Sequence, residues 1–121
     1  MLKQISEIII YVSDMDAQVR FYRDVLGLSI SYPAGLDSYS QEFWVVFDTG
    51  LCKLALHGGG NKEFGKDAPK FVFDTDDVKA VQQYLTGQNV KVGEIREPAP
   101  GVEVFDAADP EGNYFSVEKR G

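Results

Sequence analysis

Apolar and polar positions change period along the chain, and the changes mark out elements. Residues 5–12 (ISEIIIYV) are apolar and β-branched, which predicts a strand buried on most of both faces. Ser13-Asp14 then offers a helix N-cap, with Asp14 and Asp16 placing negative charge at the positive end of the helix. Met15, Val19, Tyr22, Val25 and Leu26 recur at helical spacing, and Gly27 follows as a C-cap. Leu28 to Tyr32 predicts a second strand, ended by Pro33 and followed by a polar loop with Gly35, Asp37 and Ser38. Residues 42–48 (EFWVVFD) and 52–57 (CKLALH) predict two further strands joined through Thr49-Gly50. Residues 58–68, rich in glycine and charge, form the longest connector, and Gly58-Gly59-Gly60 at its start is expected to act as a flexible lid or linker.

The same order then returns. Lys70 to Phe73 predicts a strand, and the acidic run from Asp74 to Asp77 caps a helix with apolar positions Val78, Val81 and Leu85, closed by Gly87. Val90 to Ile95 predicts a strand, Pro98 to Gly101 a loop, and Val102–Asp106 and Tyr114–Glu118 two final strands. Asp109-Pro110-Glu111-Gly112-Asn113 joins the last two as a turn. The two halves are offset by 63 residues, which separates Glu7 from Lys70 and Phe21 from Tyr84. A repeat of half the chain length predicts a single α+β domain of two βαβββ modules, about 1–60 and 68–121, whose curved mixed sheet surrounds a central cavity.

Composition narrows the partners. The 121 residues suffice for one domain with a core that needs no staples. The one cysteine, Cys52, excludes a disulfide framework and a multi-cysteine zinc site, and its place on the Leu54 and Leu56 face predicts a buried small hydrophobe. A net charge of −7 disfavours nucleic acid and anionic membrane surfaces. No apolar run approaches the roughly 18–20 residues of a membrane span, and the opening lacks the pattern of a secretory leader, so a cytoplasmic protein is expected.

Val12-Ser13-Asp14-Met15-Asp16, then Phe21-Tyr22-Arg23-Asp24-Val25-Leu26-Gly27-Leu28, resembles the opening of the vicinal oxygen chelate superfamily. That group holds glyoxalase I, bleomycin and fosfomycin resistance proteins and extradiol dioxygenases. Asp109-Pro110-Glu111-Gly112-Asn113 resembles its second common signature, and the paired module order covers nearly the whole chain. The resemblance implies, for the enzymes of the group, a divalent metal held by His, Glu or Gln from the first and last strand of each module. The matching places here carry Glu7, Ala55, Lys70 and Ser116. Alanine has no ligating atom, a protonated lysine no lone pair, and serine is a poor neutral ligand. Glu118, two residues beyond Ser116, is the only local substitute. The expectation is therefore no metal and no other cofactor. Glu7 and Lys70 occupy places that face each other in family members, and they are expected to form an ion pair where the metal would lie.

Strand alternation sorts the remaining candidates. With Glu7 inward, Ile9 and Tyr11 share its face; Lys53 and His57 share that of Ala55, Val72 that of Lys70, and Tyr114 and Glu118 that of Ser116. Trp44 lies on one face of its strand with Glu42 and Val46, opposite Phe43, Val45 and Phe47, and the pattern does not decide which face turns inward. Glu7, Tyr11, Trp44, His57, Lys70, Tyr114 and Ser116 thus form the expected ligand-binding lining, with no catalytic residue assigned. His57, the only histidine, is a candidate general base. Paired aromatics suit a flat or cationic ligand, and the acidic balance favours cations over anions.

The resulting expectation is a metal-independent, homodimeric small-molecule-binding protein that sequesters a drug-like or aromatic ligand. The alternatives are a lyase, isomerase or dioxygenase acting on a small carbonyl or aromatic compound, and a regulatory homodimer with a vestigial cavity.

Overall fold

A computed structural model describes residues 3, 7–59 and 70–120. Of the glycine run expected as a lid, Gly60 lies outside them, as does the rest of the connector to residue 68. The chain divides into two compact units, Met1–Glu63 and Phe64–Gly121.

In the first unit β1 (Glu7–Val12) leads to helix α1 (Met15–Arg20), and β2 (Ser29–Tyr32), β3 (Trp44–Asp48) and β4 (Lys53–Gly58) follow. The sheet order is β1-β4-β3-β2, with β1 parallel to β4 and the other pairs antiparallel. Asp14 is the N-cap, its carboxylate accepting from the Ala17 N–H at 3.1 Å. Val12, Met15, Val19, Tyr22, Val45, Phe47, Leu54 and Leu56 are buried as the core. Two expectations fail here. Among the described residues β1 is the edge strand of its sheet, and Ile8, Ile9 and Tyr11 are exposed. Cys52 is half-buried in the bend before β4 and is not a core residue.

The second unit runs β5 (Phe71–Asp74), α2 (Val78–Gly87), β6 (Lys91–Val92), β7 (Arg96–Ala99), β8 (Val102–Ala108) and β9 (Tyr114–Arg120). β5 is parallel to β9, β9 antiparallel to β8, and β8 carries both β6 and β7 on its other edge. Asp77 caps α2 by accepting from the Ala80 N–H at 3.0 Å. Val78 and Leu85 are buried with Phe105, Phe115 and Val117, and Phe71 stacks on Phe115 with ring centroids 6.1 Å apart.

The expected single strand at 90–95 is instead two short ones, and Pro98 lies inside β7 and not in a loop. Proline is tolerated because β7 is at the sheet edge, where one side of the backbone needs no strand partner. Between β6 and β7 the pairing with β8 slips: Val92 lies opposite Ala107, whereas Arg96 lies opposite Val104. Four steps on one side match three on the other, so one extra residue is bulged out near Gly93. β2 makes the same slip against β3 between Ile30 and Tyr32.

The repeat is 63 residues at the helix starts, Asp14 against Asp77, but 62 at their ends, Gly27 (φ 78°) against Asn89 (φ 61°). A π-turn at Phe21–Val25, in which the Leu26 N–H donates to the Phe21 carbonyl at 3.0 Å, absorbs the extra residue. Gly87, expected to terminate α2, is its last residue, and the left-handed position falls on Asn89, which tolerates it better than most side chains. Among the described residues no helix is long and apolar enough to cross a membrane.

Candidate functional site

In the first unit one sheet face buries Val45, Phe47, Leu54 and Leu56. The opposite face carries Glu7, Ile9 and Tyr11 from β1, Lys53, Ala55 and His57 from β4, and Trp44 and Val46 from β3. The register sets Tyr11, His57 and Trp44 side by side across three strands. Their rings meet: Tyr11 lies 5.0 Å and Trp44 5.7 Å from the imidazole centroid. Phe43, expected on the opposite face, precedes the strand and reaches the imidazole at 4.9 Å. It can do so because glycines lie beneath it; a Cβ on Gly58 or Gly59 would sit 3.2 or 3.1 Å from the ring.

His57 Nδ1 lies 2.7 Å from the Gly58 carbonyl oxygen. A carbonyl only accepts, so Nδ1 carries the proton and Nε2 is the basic nitrogen. A groove of about 420 Å³ is walled by Val12, Met15, Ser40, Glu42, Phe43 and Gly59, and of the four rings only Phe43 lines it. Ala55 is fully buried in the row between Ile9 and Val46, and Lys53 is paired with Asp48 at 2.7 Å.

In the second unit the exposed side of the sheet is organised by Asp106. Its carboxylate accepts from Ser116 Oγ at 2.6 Å, Lys70 Nζ at 2.9 Å, and Arg96 Nη1 and Nη2 at 3.0 and 3.4 Å. Three of these contacts fall on Oδ1 and one on Oδ2. Burial by itself would raise the Asp106 pKa; the hydrogen bonds from Ser116, Lys70 and Arg96 outweigh it and hold the group at about 2. Val72 and Tyr114 lie on this face and are 51% and 57% exposed. Glu118 forms an ion pair with Arg120.

The structure thus brings Tyr11, Trp44 and His57 together in one unit, with Glu7 further along the same face. In the other it links Lys70 to Ser116 through Asp106, with Tyr114 on the shared face. Lys70 has a counter-charge within its own unit. The reason for expecting Glu7 as its partner, the cost of a buried unpaired ammonium, therefore falls away. Sequence reasoning missed Asp106, Arg96 and Phe43. An aspartate at alternate spacing with Val104 was the available sign for the first, but its pairing with Ser116 depends on register.

The metal positions implied by the resemblance do not fit an ion. Lys70 is an ammonium paired with Asp106, Ala55 has no ligating atom, and Ser116 offers only a neutral hydroxyl. Among the described residues no three His, Cys, Asp or Glu side chains group as a metal site.

No protein of curated function matches the sequence significantly. Solved structures match over nearly their full length. SMU.1112c shares 21% identity at a TM-score of 0.76, covering 98% of this chain and 99% of that one. Lactoylglutathione lyase from Agrobacterium tumefaciens shares 25% at 0.72, covering 98% and 94%. TnmS3, an antibiotic binding protein from Streptomyces sp. CB03234, shares 19% at 0.74, covering 99% and 98%. The profile of the glyoxalase/bleomycin resistance protein/dioxygenase superfamily matches residues 4–117. With the α+β fold and both signatures in place, the chain belongs to that superfamily.

Proposed function

We propose that this protein binds and sequesters a small drug-like or aromatic molecule without using a metal. The observation that carries the reading is the ring cluster on the first unit. Tyr11, Phe43 and Trp44 surround His57, and Tyr11 and Phe43 are exposed although both are large aromatics. Exposed aromatics converging on one polar group suit a flat organic ligand. The antibiotic binding protein among the structural relatives supports the same class of role. The reading includes a single domain, a cytoplasmic location and a homodimer. Exposed Ile8 and Ile9 on β1 support the dimer, since apolar residues of this size gain from a covering partner.

The test is a thermal-shift screen of aromatic drug-like compounds on purified protein, with elemental analysis of the same sample. A ligand at 100 times its dissociation constant stabilises by about 2.7 kcal/mol, and Tyr11→Ala and Trp44→Ala should reduce that shift. No shift across the library, or a stoichiometric divalent ion, would overturn the reading. Sedimentation measures the dimer in the same preparation.

A second reading, a lyase, isomerase or dioxygenase on a small carbonyl or aromatic compound, is favoured by one detail. The Gly58 carbonyl fixes the imidazole with Nε2 basic, as a general base requires. Turnover lost in His57→Gln with binding retained would select it.

A further inference from the structure

We infer that the exposed sheet face of the second unit binds a small organic anion of its own, a carboxylate or a phosphate, through Lys70 and Arg96. This goes beyond the small-molecule-binding reading and reverses, at this face, the preference for cations that the overall acidity suggests.

Charge is the first argument. Two cations share one carboxylate at Asp106, so the cluster is net positive within a chain of net charge −7. Of the acids further along the same face, Glu118 is matched by Arg120, and Asp74 lies opposite Glu118, one alternate step beyond the pair of Val72 and Ser116. A purely structural ion pair would need only one cation.

Donor counting is the second. A lysine and an arginine together bring about eight N–H donors, and a carboxylate offers about four lone pairs. Ser116 takes one of these. About five of the eight N–H groups are therefore directed away from Asp106. Asp106 already holds two cations, so a cationic ligand approaching it would be repelled by Lys70 and Arg96. An anion meets no such repulsion. It would add to both cations, with the planar guanidinium suited to two-point contact with carboxylate or phosphate oxygens.

Access and surroundings are the third. The Lys70 and Arg96 side chains are 40% and 49% exposed. Val72 and Tyr114, on the same face, offer an apolar and an aromatic surface for the body of an organic acid.

The experiment measures binding of benzoate and phenyl phosphate against benzamide and benzylammonium, by calorimetry and by amide shifts of Val72, Tyr114 and Ser116. Wild-type protein should bind at least one anion about tenfold more tightly than benzamide, with benzylammonium weakest. The ratio of benzoate to phenyl phosphate distinguishes the two anions. Lys70→Gln and Arg96→Gln should each weaken the anion about tenfold, while Asp106→Asn, which removes the competing charge, should retain or tighten it. Equal binding of benzoate, phenyl phosphate and benzamide, or a preference for benzylammonium, overturns the inference in the wild-type protein alone, whatever the variants do. The binding reading survives that result if neutral or cationic aromatics still stabilise the protein, and falls only if the wider library also fails.

Discussion

Ser116 and Asp106 lie opposite each other on β9 and β8, and the serine hydroxyl donates to the carboxylate at 2.6 Å. Lys70 and Arg96 reach the same acid from the chain before β5 and from β7, so three segments are tied to β8 through one side chain.

That arrangement makes stability depend on acidity. Asp106 titrates at about 2 when folded, against an ordinary value of 3.8. A lowered carboxylate contributes stability that is complete above the unfolded pKa and lost as pH falls through the folded one, here between about pH 4 and pH 2. The upper bound is about 2 kcal/mol, and partial exposure brings the expected contribution nearer 1 kcal/mol. Denaturant titrations at pH 5 and pH 2 should show wild type losing most of that contribution, about 1 kcal/mol, relative to Asp106→Asn. Equal losses would refute the assignment.

Asp109 knits its turn from inside. It is buried, and its carboxylate accepts from the N–H groups of Glu111 and Asn113, both at 2.9 Å, and from the Asn113 amide at 2.7 Å. Asp109→Ala strands these donors and should destabilise the protein by about 2–3 kcal/mol, read from equilibrium unfolding. A loss below about 0.5 kcal/mol would show that the turn holds without them.

The caps Asp14 and Asp77 act at equivalent places in the two units, each accepting from the N–H three residues on. Asp77→Ala should lower stability by about 1 kcal/mol, and Asp77→Ser should restore most of it. If serine proves no better than alanine, the cap contributes little to the fold.

Two neighbours on α2 should behave in opposite ways. Leu85 is fully buried and Tyr84 is 48% exposed. Leu85→Ala should cost about 3 kcal/mol, Tyr84→Ala less than about 1 kcal/mol, by thermal or chemical unfolding. Comparable losses would mean that the tyrosine is covered in solution, as the proposed homodimer could do.

Elements with strong periodicity were legible in the sequence. The caps at Asp14 and Asp77, the buried Met15, Val19, Tyr22, Val78 and Leu85, and the Asp109 turn all follow from local spacing. What was hidden depends on which residues lie opposite each other across strands. Trp44 could be assigned to the His57 face only once β3 was set against β4. Asp106 looked like the end of a strand until its pairing with Ser116 gave it a role. The π-turn was invisible because one residue in 63 barely disturbs the repeat, and Pro98 masked a strand because its edge position is a tertiary fact.

The bulge near Gly93 has a consequence for Arg96. Had the ladder continued from Val92 without slipping, Arg96 would stand opposite Glu103, and its guanidinium would point through the sheet, away from Asp106. The added residue inverts the pleat and brings the arginine round beside Lys70. Polarity on this side of the molecule is thus governed by a count of residues, and deleting Gly93 would strip one positive charge from it without altering a single charged group.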